Sequence, residues 1–412
     1  MFEISPRIHT LSNGLRIVYV HANSLISHLG VTFLAGSRYE DESEIGLAHF
    51  LEHCIFKGTH KRKAFHILSS LDAVGGELNA YTTKEEICVY SSFVKNQFEK
   101  AADILSDIVI NSNFPEKEIE KEKVVVLDEI NSYLENPAER IMDDFEGVMF
   151  PNHPLGYNIL GTPESIHSFG KQHLENYTRK HFFAKNAVVS FVGDLPFEKV
   201  IAKIERYFKS MPNQDVIHKP KTFDHFKAQQ VILNEGNYQA QVILGSIAPG
   251  YDSEERKRMT LLTNILGGPA MNSRLTLAAR EKHGYTYNIE AQYNPYPDIG
   301  FWSIYFSSDQ KNVSKTIRLI HKELQRIREI PLTAHQLKQA KEQLKGHFAL
   351  SMDSNLGLMQ GLGKSLLLFN QIDTVEEIFA GIDAITAEML QETAQKYFQP
   401  ENISELRFEV KN

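Results

Sequence analysis

Two histidines and a glutamate within five residues give this chain its clearest chemical potential. In Gly46-Leu-Ala-His49-Phe-Leu-Glu52-His53-Cys-Ile-Phe56 the histidines stand four apart, so a helix stacks both imidazoles on one face. Imidazoles placed this way converge on one small cation. Glu52, three after His49 and one before His53, reaches a water on that same cation. The order His-x-x-Glu-His inverts His-Glu-x-x-His, the commoner arrangement for zinc-assisted hydrolysis. Short patterns recur by chance, so their surroundings decide. Leu47, Phe50 and Leu51 predict a buried helix, and two imidazoles beside a carboxylate make poor plain core, because buried polar groups need partners.

A catalytic zinc takes three protein ligands and keeps a place for water, so a third ligand is expected elsewhere. The amphipathic stretch Glu116–Leu134 offers Glu122 and Glu129, seven apart and nearly aligned after two helical turns. Val124, Val125, Val126 and Leu127 between them predict a helix packed largely inside, where a carboxylate wants a cation. One glutamate then ligates, and the other orients a ligand or water. Pairing of both with lysines such as Lys121 and Lys123 on a solvated face is the competing reading, and the His49–His53 pair weighs against it.

The elements that must hold these groups occur twice. In the first half the strand Leu29-Gly-Val-Thr-Phe-Leu-Ala-Gly36 leads into the acidic turn Tyr39-Glu-Asp-Glu-Ser-Glu44 and a helix over 46–56. In the second, Val242-Ile-Leu-Gly-Ser-Ile-Ala-Pro-Gly250 leads into Tyr251-Asp-Ser-Glu-Glu255 and a helix over 259–266. Each half continues with an alternating strand pair, 77–83 with 87–93 and 285–293 with 300–307. Two long amphipathic helices follow in each, 94–111 and 116–134, then 311–329 and 333–352. The pattern predicts an α+β fold of two homologous domains, each a mostly antiparallel sheet with helices packed on one side. The polar, Pro-bearing stretch 213–226 is the expected linker between an N-terminal domain, 1–212, and a C-terminal one, 227–412.

Composition narrows the class. Of 412 residues, 42% are hydrophobic and 23% charged, the balance of a soluble globular protein too long for one core. No apolar run is long enough to span a membrane, and the N-terminus shows no secretory signal. Two cysteines, Cys54 and Cys88, make no disulfide framework, so a cytoplasmic location is expected. A net charge of −8 and the lack of a basic face argue against nucleic acid.

At its motifs the chain closely resembles the pitrilysin and mitochondrial processing peptidase family, the inverzincins. The matching stretches are Gly46-Leu-Ala-His-Phe-Leu-Glu-His-Cys-Ile-Phe-Lys-Gly-Thr59, Gly75-Gly-Glu-Leu-Asn-Ala-Tyr-Thr-Thr83 and Lys123-Val-Val-Val-Leu-Asp-Glu-Ile130, followed by Asn152-His-Pro-Leu-Gly156 and Gly161-Thr-Pro-Glu164. The resemblance implies a zinc endopeptidase with Zn2+ held by His49, His53 and Glu129, Glu52 as general base and Glu122 as a supporting acid. The separation of His53 and Glu129 is where the family places its third ligand, which selects Glu129 over Glu122. It further implies that Asn79 and Ala80 pair with an extended peptide, and that Arg280 and Tyr287 contact it, with Arg274 and Tyr285 as alternatives. The second half carries Leu261-Leu-Thr-Asn-Ile-Leu266 in place of the metal motif, so it is expected to act as wall and substrate clamp. A closed chamber then needs a second chain, either identical or a metal-free relative. Two rivals are a non-catalytic partner subunit and a thioether-cleaving lyase, which pairs the same motif with a cysteine ligand; Cys88 is the candidate for that ligand, since Cys54 faces away.

Overall fold

The computed structural model describes residues 5–215, 219–235 and 238–410. Residues 216–218 of the expected linker, and residues 1–4 of the stretch read for a leader, lie outside that description. The described residues form two sheets. In the first, β1 (Arg7–Thr10), β2 (Arg16–His21), β3 (Ile26–Phe33), β4 (Glu77–Thr82), β5 (Ile87–Val94) and β6 (Ala187–Gly193) lie in the order β1-β2-β6-β3-β5-β4. In the second, β7 (Gln230–Glu235), β8 (Ala240–Ala248), β9 (Asn288–Pro295), β10 (Gly300–Ser308) and β11 (Ser404–Val410) lie in the order β7-β11-β8-β10-β9. β2 with β6 and β7 with β11 are the parallel pairs, and the other described pairs are antiparallel. Strand for strand, β2-β6-β3-β5-β4 repeats as β7-β11-β8-β10-β9. The α+β class and the internal repeat are both present.

The layering differs from the one-sided packing expected. Side chains alternate across a strand, and both faces of each sheet are covered. On β6, Val189 and Phe191 join the core that holds the helix Leu47–Cys54, while Val188 and Val192 face Met359, Leu362 and Leu366 of the helix Asn355–Phe369. That helix approaches closely because Gly30 leaves room: a Cβ there would lie 2.6 Å from the Met359 sulfur. Its C-terminal turn is fastened by Arg16, whose Nη1 donates to the Leu366 carbonyl at 2.8 Å. In the second sheet, Val242, Leu244 and Trp302 face one core, and Ile243, Tyr305 and Phe408 face the helix Pro137–Met149 through Ile141, Phe145 and Met149. Central strands buried on both faces read as unbroken apolar runs.

The covering helices come from opposite halves of the sequence. One compact unit holds residues 1–131, 157–221 and 351–374; the other holds 132–156, 222–350 and 375–412. The units therefore depart from a linear division at 213–226, because each sheet takes its back layer from the distant part of the chain. Among the described residues no helix is long and apolar enough to cross a membrane.

Candidate metal centre

The helix Leu47–Cys54 begins at Gly46, whose φ of +93° is left-handed. A Cβ on Gly46 would stand 2.6 Å from the Gly161 Cα, so the Gly161-Thr-Pro-Glu164 loop packs directly against the helix start. Glu40, itself buried, accepts from the Gly46 N–H at 3.0 Å and the Ala48 N–H at 2.7 Å, satisfying donors that a helix start leaves open. Burial pushes its carboxyl up to about 8, against the pull of those amides and of Lys84. Leu47, Phe50, Leu51 and Cys54 enter the core and fix the rotation of the helix. His49, Glu52 and His53 are then left on the side of the helix Glu116–Leu134.

The two imidazoles lie with ring centres 4.7 Å apart, tilted by 68°. Glu129 Oε2 stands 3.3 Å from His53 Nε2 and 3.7 Å from His49 Nε2. Zinc bonds to nitrogen and oxygen of about 2.0–2.2 Å, tetrahedrally arranged, separate neighbouring ligand atoms by about 3.3–3.6 Å. The two distances to Glu129 match that spacing, and all three ligand atoms lie within 4.8 Å of one another, so the donor set fits a zinc ion. Glu122 lies behind it: its Oε2 is 3.4 Å from His53 Nδ1 and its Oε1 is 2.7 Å from Lys57 Nζ. Its contact is to the far nitrogen of His53, which leaves Nε2 facing Glu129. His49 Nδ1 is buried without a hydrogen-bond partner among the described residues.

The charges divide unevenly between the two rings. Burial, then the neighbouring His53, push His49 down to about 4, keeping it neutral as a metal ligand must be. Burial also lowers His53, but the hydrogen bonds and charges of Glu122 and Glu129 outweigh it and raise His53 to about 9, so this ring must give up a proton before it can ligate. The hydrogen bond to His53 holds Glu129 below the usual carboxylate range. At Glu122 burial works upward, but His53 and Lys57 bring it below that range as well. Two carboxylates thus draw positive charge to this spot. Burial raises Glu52, tempered by the Thr82 hydroxyl, which donates to its Oε2 at 2.7 Å. Glu52 is not one of the three groups spaced to share an ion.

The helix Glu116–Leu134 is less buried than its valines suggested. Val126 is buried, whereas Val124 and Val125 are 59% and 47% exposed, because a helix offers one stripe to the core. The lysines named as competitors pair elsewhere: Lys121 with Glu118 at 2.8 Å and Lys123 with Glu120 at 2.8 Å. The cysteine-ligand reading finds no support. Cys54 faces the core, where burial carries its thiol far above the ordinary range, and Cys88 is pushed up to about 12 by burial. Among the described residues His49, His53 and Glu129 form the one group spaced to hold a metal.

Asn79 and Ala80 lie on β4, the edge strand of the first sheet. Thr83 N–H donates to the Glu86 carbonyl at 2.8 Å, so by antiparallel alternation Thr82 and Ala80 turn their main-chain groups to the free edge. The Ala80 N–H is met there by the Asn79 side-chain oxygen at 2.8 Å. Arg280 and Tyr287 belong to the second unit, where the guanidinium sits 5.1 Å from the tyrosine ring centre. With Gly267, Gly268 and Asn288 they line a pocket of about 350 Å³. Arg280 also makes a surface ion pair, to Glu281 at 3.4 Å. The alternatives are engaged internally, Arg274 facing Glu323 at 4.0 Å and Tyr285 stacked on His283 at 5.0 Å. Glu40, Lys57 and Thr82 went unread in the sequence. Only Thr82 left a trace there, two residues from Ala80 and so on the same strand face.

Comparison with known proteins bears on this geometry. The family description "Insulinase (Peptidase family M16)" matches residues 16–163, and "Peptidase M16 inactive domain" matches residues 168–344. An uncharacterized zinc protease of Bacillus subtilis, YmxG, is 32% identical over 394 residues, covering 95% of this chain and 95% of its own. An uncharacterized zinc protease of Rickettsia bellii is also 32% identical, covering 95% and 94%. A crystal structure of a peptidase M16 inactive domain from Pseudomonas fluorescens shares the fold with a TM-score of 0.92 at 19% identity, covering 99% of this chain and 98% of that one. A Helicobacter pylori protease does so with a TM-score of 0.91 at 20% identity, covering 98% and 100%.

Proposed function

This chain belongs to the M16 (pitrilysin) peptidase family, and from that premise we propose that it is a zinc-dependent endopeptidase acting on peptides or unfolded segments. The observation that carries the reading is the convergence of His49 Nε2, His53 Nε2 and Glu129 Oε2, with Glu52 on the same short helix and close enough to feel the charges of His53 and Glu129. Zinc bound there supplies a Lewis acid and a water acidic enough to lose its proton near neutral pH. Glu52 would take a proton from the attacking water on its carboxylate and return it to the leaving amine. His53 is held in line by Glu122, and Lys57 balances the charge of that glutamate. An extended peptide adds to β4, its carbonyl taking the Ala80 N–H in place of the Asn79 side chain, which gives main-chain recognition tolerant of sequence. Within the second unit, the pocket lined by Arg280 and Tyr287 offers a cation and an aromatic face as a separate candidate contact for a peptide.

The description "inactive" falls on residues 168–344, outside the stretch that carries His49 through Glu129. A complete set of ligands and base favours catalysis over a purely structural role as a partner subunit. Pairing with a second copy or a related chain, to close a chamber, belongs to the same proposal. So does a cytoplasmic location, which rests on two buried, unpaired cysteines. Digestion of a peptide library, with and without chelator and read by mass spectrometry, tests the reading. Cleavage lost on chelation and restored by zinc is expected; cleavage that survives complete metal removal overturns it.

A further inference from the structure

Glu52 is a flexible side chain asked to hold a defined position. A general base must bring one oxygen within about 2.6–3.2 Å of the proton it removes, and three side-chain torsions work against that. Burial alone does not fix those torsions. Among the described residues, the hydrogen bond to the Glu52 carboxylate comes from the Thr82 hydroxyl, 2.7 Å from Oε2. Thr82 is well suited to the task. Its branched Cβ stiffens χ1, and its backbone is fixed between the paired neighbours Tyr81, opposite Cys88, and Thr83, whose N–H donates to the Glu86 carbonyl. It shares a strand face with Ala80, which is buried in the core against the metal helix. With Oε2 tied to the strand, Oε1 is the oxygen left to meet the water.

We propose that Thr82 is a positioning residue for the general base, and that it links the strand receiving the peptide to the carboxylate doing the chemistry. The inference rests on the endopeptidase reading above. Thr82 turns its main-chain N–H and C=O to the same free edge as Ala80. A peptide paired along β4 therefore orders the strand from which Glu52 is held.

The test compares Thr82→Val, which keeps the shape and removes the hydroxyl, with Thr82→Ser, which keeps the hydroxyl. Three quantities are read: kcat and KM on a peptide that the parent protein cleaves, zinc affinity by chelator competition, and the Glu52 conformation in crystals. Thr82→Val is expected to lower kcat about ten-fold, the scale of one lost hydrogen bond, with KM and zinc affinity within about two-fold of the parent. Thr82→Ser recovers most of the loss. Adding Thr82→Val to Glu52→Gln costs nothing further, since residues acting through one another are not additive. In Thr82→Val crystals the Glu52 carboxylate is displaced while His49, His53 and Glu129 stay in place. Parent-like kcat in Thr82→Val overturns the proposal. So does zinc affinity falling in step with kcat, or a serine variant no better than valine. A parent protein that binds zinc and cleaves no peptide refutes the endopeptidase reading itself, which separates that failure from one confined to Thr82.

Discussion

Removing Glu122 should weaken zinc binding without touching a ligand. Its side chain is 9% exposed, with one oxygen 3.4 Å from His53 Nδ1 and the other 2.7 Å from Lys57 Nζ. Glu122→Ala frees the His53 ring to turn or to move its proton to Nε2, and it leaves the Lys57 ammonium unbalanced beside a site meant for a dication. Loss of a hydrogen-bond partner to a metal-ligating histidine typically costs about 10–100-fold in metal affinity, or roughly 1.4–2.7 kcal/mol. A contact of 3.4 Å is long, which places the histidine part at the low end. The unpaired lysine adds to it, so the expected loss is about 30-fold. Glu122→Gln should fall between parent and alanine, because its carbonyl can still accept from Nδ1 but no longer neutralises Lys57. Glu120→Ala serves as control, since that residue is 68% exposed and pairs with Lys123 on the same helix. The assay is zinc titration against a competing chelator. Zinc affinity of Glu122→Ala within about two-fold of the parent would refute the argument that Glu122 sets the His53 ring.

Three other outcomes follow from the same geometry. Glu52→Gln should bind zinc as the parent does and lose about 10²–10⁴-fold in kcat on any peptide substrate; parent-like turnover removes Glu52 from the mechanism. Zinc at one hundred times its dissociation constant should add about 2.7 kcal/mol to the stability of the zinc-free protein, seen as a raised Tm, and an unchanged Tm contradicts a site held only in the folded state. Gly46→Ala forces a left-handed backbone on alanine and drives its Cβ into Gly161, so a loss of about 1–3 kcal/mol with weakened zinc binding is expected; a Tm equal to the parent's would show that the helix start tolerates crowding.

What the sequence disclosed followed the range of the interactions involved. The His49–His53 helix was legible because a 3.6-residue period and two imidazoles are local facts. The strand pairs and long helices emerged within a few residues of their positions for the same reason. Choosing Glu129 over Glu122 was different. Both share a helix face, and periodicity could not say which one meets the imidazoles, so the family resemblance made that choice. Burial of the Glu116–Leu134 helix was overestimated at Val124 and Val125, where four consecutive apolar residues must point in different directions. Thr82 stayed hidden because its partner depends on how a strand packs on a helix 30 positions away. The second cover on each sheet was out of reach for a like reason, being supplied from a remote part of the chain.

That exchanged cover sets a condition on how such a chain can exist at all. A polypeptide ending near residue 212 would retain Val18, Val20, Val188 and Val192 but not the helix that buries them, each worth about 1.5–3 kcal/mol when hidden. It would carry instead, in the Pro137–Met149 segment, a lid cut for somebody else's sheet. A half-length copy of this chain would need a lid from a second copy to hide these faces, whereas the single polypeptide carries both lids itself.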